Sequence, residues 1–282
     1  MSFQINPLSK KFGVEVTGLN LAQSPEPAVI ESVYRAFVEN AVIVFRKQSL
    51  KPEDFVRVAE IFGQPLEQLL TRNQVPGFPV VNTVSNQEKT DDGKPDLLGQ
   101  TWHTDHSFWP TPPKATMLHA VTLPGEGGNT CFANMHLAYE KLPEGLRARI
   151  SGLKAVHAYR ESREPPTADE RQREVRDNPT EVANGMVHPV ERTHPDTGRK
   201  AIYINPLRIK RFLGLAPVAS ANLVEELTKH STQRKYVYRH QWQEGDLIMW
   251  DNRSVMHMVD VDYDITQPRL MHRIILQGDR PI

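Results

Sequence analysis

GDLIMWDNRSVMHMV (245–259) is two short apolar runs separated by a polar break. Gly245-Asp246 supports a turn, LIMW reads as a buried strand, and Asp251-Asn252-Arg253 interrupt it. His257 then falls at the start of a second extended piece. A strand that stops, turns and resumes is the unit of a β-barrel or sandwich, and the rest of the chain repeats the theme.

Runs of the same kind are AVIVF (41–45), FPVVNTV (78–84), ATMLHAV (115–121), AIYIN (201–205), KYVYRHQW (235–242) and RLMHRIIL (269–276). Most are rich in β-branched or aromatic residues and several alternate, which predicts strands. Helical spacing is found in PAVIESVYRAFVEN (27–40). It recurs in PEDFVRVAEIF (52–62), which opens on proline and is followed by Gly63, and in ANLVEELTKH (221–230), with Ser220 as its cap. Strands over the whole length with helices mostly early and late predict an α+β, mainly β fold in a single domain over 1–282. Long irregular connections fit a jelly roll better than βαβ units, and no glycine-rich phosphate loop follows a strand.

The 282 residues carry 34 basic and 34 acidic side chains, so there is no cationic excess to neutralise a phosphate backbone and nucleic acid is not an expected partner. No signal core and no long apolar window suggest a membrane, and a single cysteine, Cys131, leaves no disulfide framework or cysteine-based zinc site. These features point to the cytoplasm. Two polar stretches, 85–101 and 160–185, read as solvated loops or as lids over a site.

In WHTDHSFW (102–109), His103 and Asp105 stand two apart, which in an extended segment puts both side chains on one face. An imidazole and a carboxylate there suit Fe(II), Mn(II) or Zn(II), although the same pattern describes a hydrogen-bonded loop pair. His106 would face away, and Trp102, Phe108 and Trp109 read as packing or pocket wall. The third donor must come from elsewhere, and His257 has the context for it. His188, His194, His240 and His272 read as surface or satisfied core histidines. In QPRLMHRIILQGDRP (267–281), Arg269 and Arg273 share a face with Met271 and Ile275. Two inward arginines are costly unless each meets an anion, which is either a protein carboxylate or a small-molecule ligand.

WHTDHSFWPTPPKATMLHAVTLPGEGGNTCFANMHLAYEKLP (102–143), HPVERTHPDTGRKAIYIN (188–205), GDLIMWDNRSVMH (245–257) and RLMHRIILQGDRP (269–281) together resemble the taurine dioxygenase family of Fe(II)/2-oxoglutarate-dependent dioxygenases, which includes alkylsulfatase and phenoxyacetate-herbicide dioxygenases. The resemblance implies a double-stranded β-helix (jelly-roll) core with flanking helices. It implies Fe(II) on His103, Asp105 and His257, with 2-oxoglutarate on Thr130 and Arg269. By the same token Arg273 is a contact for an anionic substrate, and Trp250 a packing residue beside the iron.

Taurine-specific members place a histidine and a tyrosine after the FG that closes the second helix. Here FGQPLEQLLT (62–71) offers Gln68 and Thr71, and Gly99 stands where they have an asparagine. The implied reaction hydroxylates a small alkyl sulfonate, sulfate ester or aryloxyalkanoate, consuming O2 and 2-oxoglutarate and giving succinate and CO2. Family likeness also implies a homodimer or homotetramer. The competing expectations are a cupin-like metal-dependent hydrolase or isomerase and a non-catalytic binding module on the same barrel.

Overall fold

The LIMW run is buried end to end because both of its faces are covered, as the computed structural model shows. It describes residues 3–10, 12–67, 73–87, 99–159 and 185–282. The N-terminal part holds β1 (Gln4–Pro7), β2 (Val14–Thr17), α1 (Pro27–Asn40), β3 (Val42–Phe45), α2 (Pro52–Phe62), β4 (Gln74–Val75) and β5 (Phe78–Ser85). The middle holds β6 (Ala115–Thr122), β7 (Thr130–Asn134), α3 (Met135–Glu140), α4 (Glu144–Ile150), β8 (Lys154–His157), β9 (Met186–Pro189), β10 (Glu191–Thr193), β11 (Lys200–Ile202) and β12 (Ile209–Phe212). The chain ends with α5 (Pro217–Ser231), β13 (Val237–His240), β14 (Leu247–Asp251), β15 (Val255–Val259) and β16 (Leu270–Leu276).

An eight-stranded sheet runs in the order β1-β2-β3-β14-β6-β16-β5-β4, and a three-stranded sheet in the order β13-β7-β15. Strand alternation explains how they pack. Ile43, Phe45, Leu247, Met249, Met117, Ile274 and Leu276 point to one side of the large sheet, into a core with Val33 and Phe37 of α1 and Phe55, Val58 and Phe62 of α2. Their neighbours Val42, Val44, Ile248, Trp250, Leu118 and Met271 point to the other side and meet Phe132 of β7 and Val255 of β15. β3 and the LIMW run of β14 are therefore apolar on both faces, and no alternation of polarity is visible in them. A third core packs α3, α4 and α5 with β8, β11 and β12. The result is the expected mainly β jelly roll with flanking helices.

The polar break in GDLIMWDNRSVMHMV is the corner where the chain leaves the large sheet at β14 and enters the small one at β15. Asp251 fixes this corner. Its carboxylate takes Nε and Nη2 of Arg253 at 2.9 and 2.6 Å and Nε2 of His194 at 2.9 Å, while Arg253 also reaches Asp196 at 2.9 Å. All but Asp196 are buried, so the charges answer one another rather than solvent.

Helices α1 and α2 run over the expected ranges. Gly63 follows α2, and its N–H closes on Ala59 O at 3.1 Å. Helix α5 corrects the expectation at its start. Pro217 occupies its first turn, so Ala216 is the cap and the helix begins ahead of Ser220. Ser220 Oγ instead accepts from Phe212 N at 3.1 Å, tying α5 to β12. Residues 88–98 and 160–184, the greater part of both polar stretches, lie outside the described residues, as do Gln68 and Thr71.

Candidate metal centre

His103 and His257 meet backbone to backbone. His103 N donates to His257 O at 3.0 Å and His257 N to His103 O at 2.8 Å, a single antiparallel bridge at the rim of the small sheet. Within β15, His257 shares the parity of Val255, the strand's contribution to the core between the two sheets, so its ring also points between them. The two imidazoles lie 4.2 Å apart, centre to centre. Asp105 closes the group, with Oδ1 at 3.8 Å from His103 Nε2 and 3.9 Å from His257 Nε2. The three donor atoms lie within 4.8 Å of one another, and among the described residues they are the one such cluster of His, Cys, Asp or Glu.

The segment is extended only as far as His103. The chain then turns through Asp105, and His106 adopts a left-handed backbone with φ of 42°, closed by Trp109 N donating to His106 O at 2.9 Å. His106 is outside the donor cluster, as expected, but for a different reason than strand alternation. The turn carries its ring away to stack on Trp109 at 4.3 Å and 21°. Phe108 is buried and stands edge-on to Tyr159 at 5.1 Å.

Electrostatics leaves Asp105 and His257 in the protonation states a cation requires. Burial works to raise the Asp105 pKa, but the charges around it, the Arg273 guanidinium among them, outweigh it, and the carboxyl is held well below the usual range. Burial first, and His103 second, push His257 down to about 3, so its ring is neutral. His103 Nδ1 donates to Thr101 O at 2.7 Å, which leaves Nε2 as the ring nitrogen on the Asp105 side. Two imidazole nitrogens and one carboxylate oxygen are a donor set suited to Fe(II).

Three buried groups behind Asp105 escaped the sequence reading in this role. Thr116 Oγ1 donates to Asp105 Oδ2 at 2.5 Å, Asn252 Nδ2 donates to Thr116 Oγ1 at 2.9 Å, and Trp250 Nε1 donates to Asn252 Oδ1 at 3.0 Å. Trp250 also packs on the His257 ring at 4.5 Å, so it does more than fill space. The turn itself is braced from outside the barrel strands. Asn205 Nδ2 donates to Thr104 O at 2.7 Å and to Ser107 Oγ at 2.9 Å, His157 Nδ1 meets Ser107 Oγ at 3.0 Å, and His188 donates to Trp109 O at 3.0 Å. The one available signal was polarity out of place, such as Thr116 within ATMLHAV and Asn205 ending AIYIN.

Arg269 precedes β16 and is 4% exposed. Its Nε donates to Gly128 O at 3.2 Å, while Nη2 is buried with no partner among the described residues. Burial lowers its pKa. A buried guanidinium with an unused N–H fits an anion carried in by a ligand. Gly128 has φ of +63°, and a Cβ there would stand 3.1 Å from Arg269 Nε, so the turn needs glycine to let the arginine pass. Thr130, two residues on, is buried, and its Oγ1 accepts from Trp242 Nε1 at 3.1 Å.

Arg273 shares the parity of Met271 on β16 and hence faces the space between the sheets. Burial lowers its pKa and the Asp105 carboxylate acts to raise it. The ladder of β16 on β6 shifts register between Leu270 and Met271, so Arg269 lies beyond an irregularity that separates it from Arg273. Gly99 sits beside the centre. Its O accepts from Val259 N at 2.8 Å, and a Cβ on it would meet His103 Cε1 at 3.5 Å.

Residues 4–275 match the model of the family described as taurine catabolism dioxygenase TauD, TfdA family. The chain is 32% identical to an alpha-ketoglutarate-dependent sulfate ester dioxygenase of Pseudomonas putida, over 100% of this chain and 92% of that protein. It is 34% identical to an alpha-ketoglutarate-dependent 2,4-dichlorophenoxyacetate dioxygenase of Cupriavidus pinatubonensis, over 99% of each. Among solved structures it resembles AAD-2 in complex with Mn(II) and N-oxalylglycine, with a TM-score of 0.82, 31% identity, and coverage of 100% of this chain and 99% of that one.

Proposed function

The chain belongs to the TauD/TfdA family of taurine-catabolism dioxygenases, and from that membership we propose that His103, Asp105 and His257 hold its iron, with Arg269 and Thr130 receiving 2-oxoglutarate and Arg273 the anionic head of the substrate. The protein is an Fe(II)- and 2-oxoglutarate-dependent dioxygenase acting on small anionic organic molecules of the sulfonate, sulfate ester or aryloxyalkanoate type. The hydrolase and binding-module alternatives give way to this family membership. When bound, iron and 2-oxoglutarate supply the oxidising chemistry, with O2 consumed and succinate and CO2 formed as the substrate is hydroxylated.

The protein's own part is orientation and charge. His103 is oriented by Thr101, and Asp105 is ionised and, among the described residues, hydrogen-bonded through Oδ2 alone. The buried Nη2 of Arg269 supports a contact to the distal carboxylate of 2-oxoglutarate, in the bidentate manner open to a guanidinium. Arg273, within the electrostatic reach of Asp105, brings a positive charge toward the centre and supports an anionic substrate head. Gln68, Thr71 and Gly99 complete the proposed substrate side, where Gly99 leaves space and hydrogen-bonds only through its backbone. A single domain over 1–282, a homodimeric or homotetrameric assembly and a cytoplasmic location belong to the same proposal. No helix among the described residues is long and apolar enough to cross a membrane.

The observation that carries the reading is the convergence of His103, Asp105 and His257 within 4.8 Å. Anaerobic addition of Fe(II) and 2-oxoglutarate is expected to develop a weak visible charge-transfer band, and His257→Ala to abolish both the band and turnover. Persistence of both in the variant would remove His257 from the metal site. A panel of sulfonates, sulfate esters and aryloxy acids, scored by succinate formation, identifies the substrate.

A further inference from the structure

Asp105 presents two oxygens, and the structure treats them differently. Oδ1 faces both imidazoles at 3.8 and 3.9 Å, whereas Oδ2 accepts from Thr116 at 2.5 Å. The direction of that hydrogen bond is fixed by its neighbours. An indole N–H can only donate, so Trp250 Nε1, at 3.0 Å, sets Asn252 Oδ1 as the acceptor end of the amide. The other end, Nδ2, must then donate to Thr116 Oγ1 at 2.9 Å. With its oxygen already accepting, the threonine hydroxyl has its own proton to give, and Asp105 Oδ2 is the carboxylate oxygen in reach.

Every member is buried, at 9% exposed for Asp105 and 1% or less for Thr116, Asn252 and Trp250. Water therefore competes little for these bonds. The backbone makes the relay possible. Thr116 of β6 is register partner to Trp250 of β14, and both have the parity of Leu118 and Ile248, facing the space between the sheets. Asn252 lies at the corner just after β14, and its backbone carbonyl also accepts from Thr104 Oγ1 at 2.9 Å, next to Asp105.

We propose that Thr116 is a positioning residue for the metal centre: its hydroxyl, driven by Asn252 and Trp250, engages Oδ2 of Asp105 and so presents Oδ1 alone to the cation. The proposal rests on the reading of Asp105 as a ligand. A carboxylate free to rotate could offer both oxygens and use a coordination position that the co-substrate or O2 needs. Partners that orient a ligand in this way commonly change metal affinity about 10–100-fold when removed.

The test is an anaerobic titration of the apo-protein with Co(II), followed by its visible spectrum, with apo-protein melting recorded in parallel. Thr116→Val keeps the shape and deletes the hydroxyl, Thr116→Ala does so without a branched side chain in case valine packs poorly, and Thr116→Ser restores the donor. The valine and alanine variants are expected to weaken Co(II) binding about tenfold or more and to alter its spectrum, while the serine variant stays within about threefold of the parent. A merely structural threonine would lower melting without changing the spectrum or being rescued by serine, and that result overturns the proposal. Asp105→Ala separates the two levels. If it loses Co(II) while Thr116→Val binds as the parent does, the role of Thr116 is wrong. If it binds Co(II) normally, the underlying ligand assignment is wrong.

Discussion

Arg269, buried, and Arg273, half-buried, are both cations near the candidate centre, but their surroundings differ. Arg269 leans on Gly128 O and keeps Nη2 unused, whereas Arg273 lies within reach of the Asp105 charge. Arg269→Ala is therefore expected to raise the KM for 2-oxoglutarate at least about tenfold, as for loss of a buried charged contact. Arg273→Ala should instead raise the KM of the primary substrate and leave 2-oxoglutarate binding without substrate nearly intact. Kinetics with each co-substrate varied in turn distinguishes them, and an identical pattern in both variants would contradict the division. Such residues are legible in a sequence because a charge inside an apolar strand is conspicuous. The donor pair His103 and Asp105 is legible because it is local. The roles of Thr116, Asn252 and Asn205 are not: Thr116 and Asn205 stand out only as polar residues in apolar runs, and the neighbours that define all three come from other strands and loops.

Elements were readable in proportion to their length and regularity. The LIMW run declared β14 because both faces of that strand are covered, and the 3.6-residue spacing of α1 and α2 gave their extents. The helices α3 and α4, at 6 and 7 residues, are too short to show a period, and the start of α5 was decided by Pro217 rather than by Ser220. Helix α2 lies against the large sheet on the side away from the candidate metal centre, through Phe55, Val58 and Phe62. Phe55 is fully buried there, and Phe55→Ala should cost about 3–5 kcal/mol of unfolding free energy. Denaturant unfolding measures the loss, while Co(II) affinity of the folded variant should be unchanged. An equal loss of affinity would mean that the two faces of the sheet are not independent.

Across the whole molecule, histidines are buried as neutral rings outside the proposed ligand set. Burial pushes His136 and His188 down to about 4 and His157 to about 3. In the unfolded chain each titrates near 6.5, so below that pH the unfolded state binds protons that the folded state refuses. Stability is thus full above about pH 7 and is lost as pH falls toward 4. Between pH 7 and 5.5 the three rings together should remove on the order of 4 kcal/mol. Urea unfolding at the two pH values checks this, and equal midpoints would contradict it. None of this was visible in the sequence, where His136, His157 and His188 look no different from surface histidines. The bridge between His103 and His257 has a consequence for assembly. Its two hydrogen bonds close a loop of over half the chain, so His257 is a stranger to His103 and Asp105 until that loop is shut. A cation held by the proposed ligands would act as a removable cross-link between distant stretches of polypeptide, favouring the closed form by about 2.7 kcal/mol when free metal is 100 times its dissociation constant. On the proposed ligand set, metal supply and the survival of the fold would be coupled through one pair of backbone contacts.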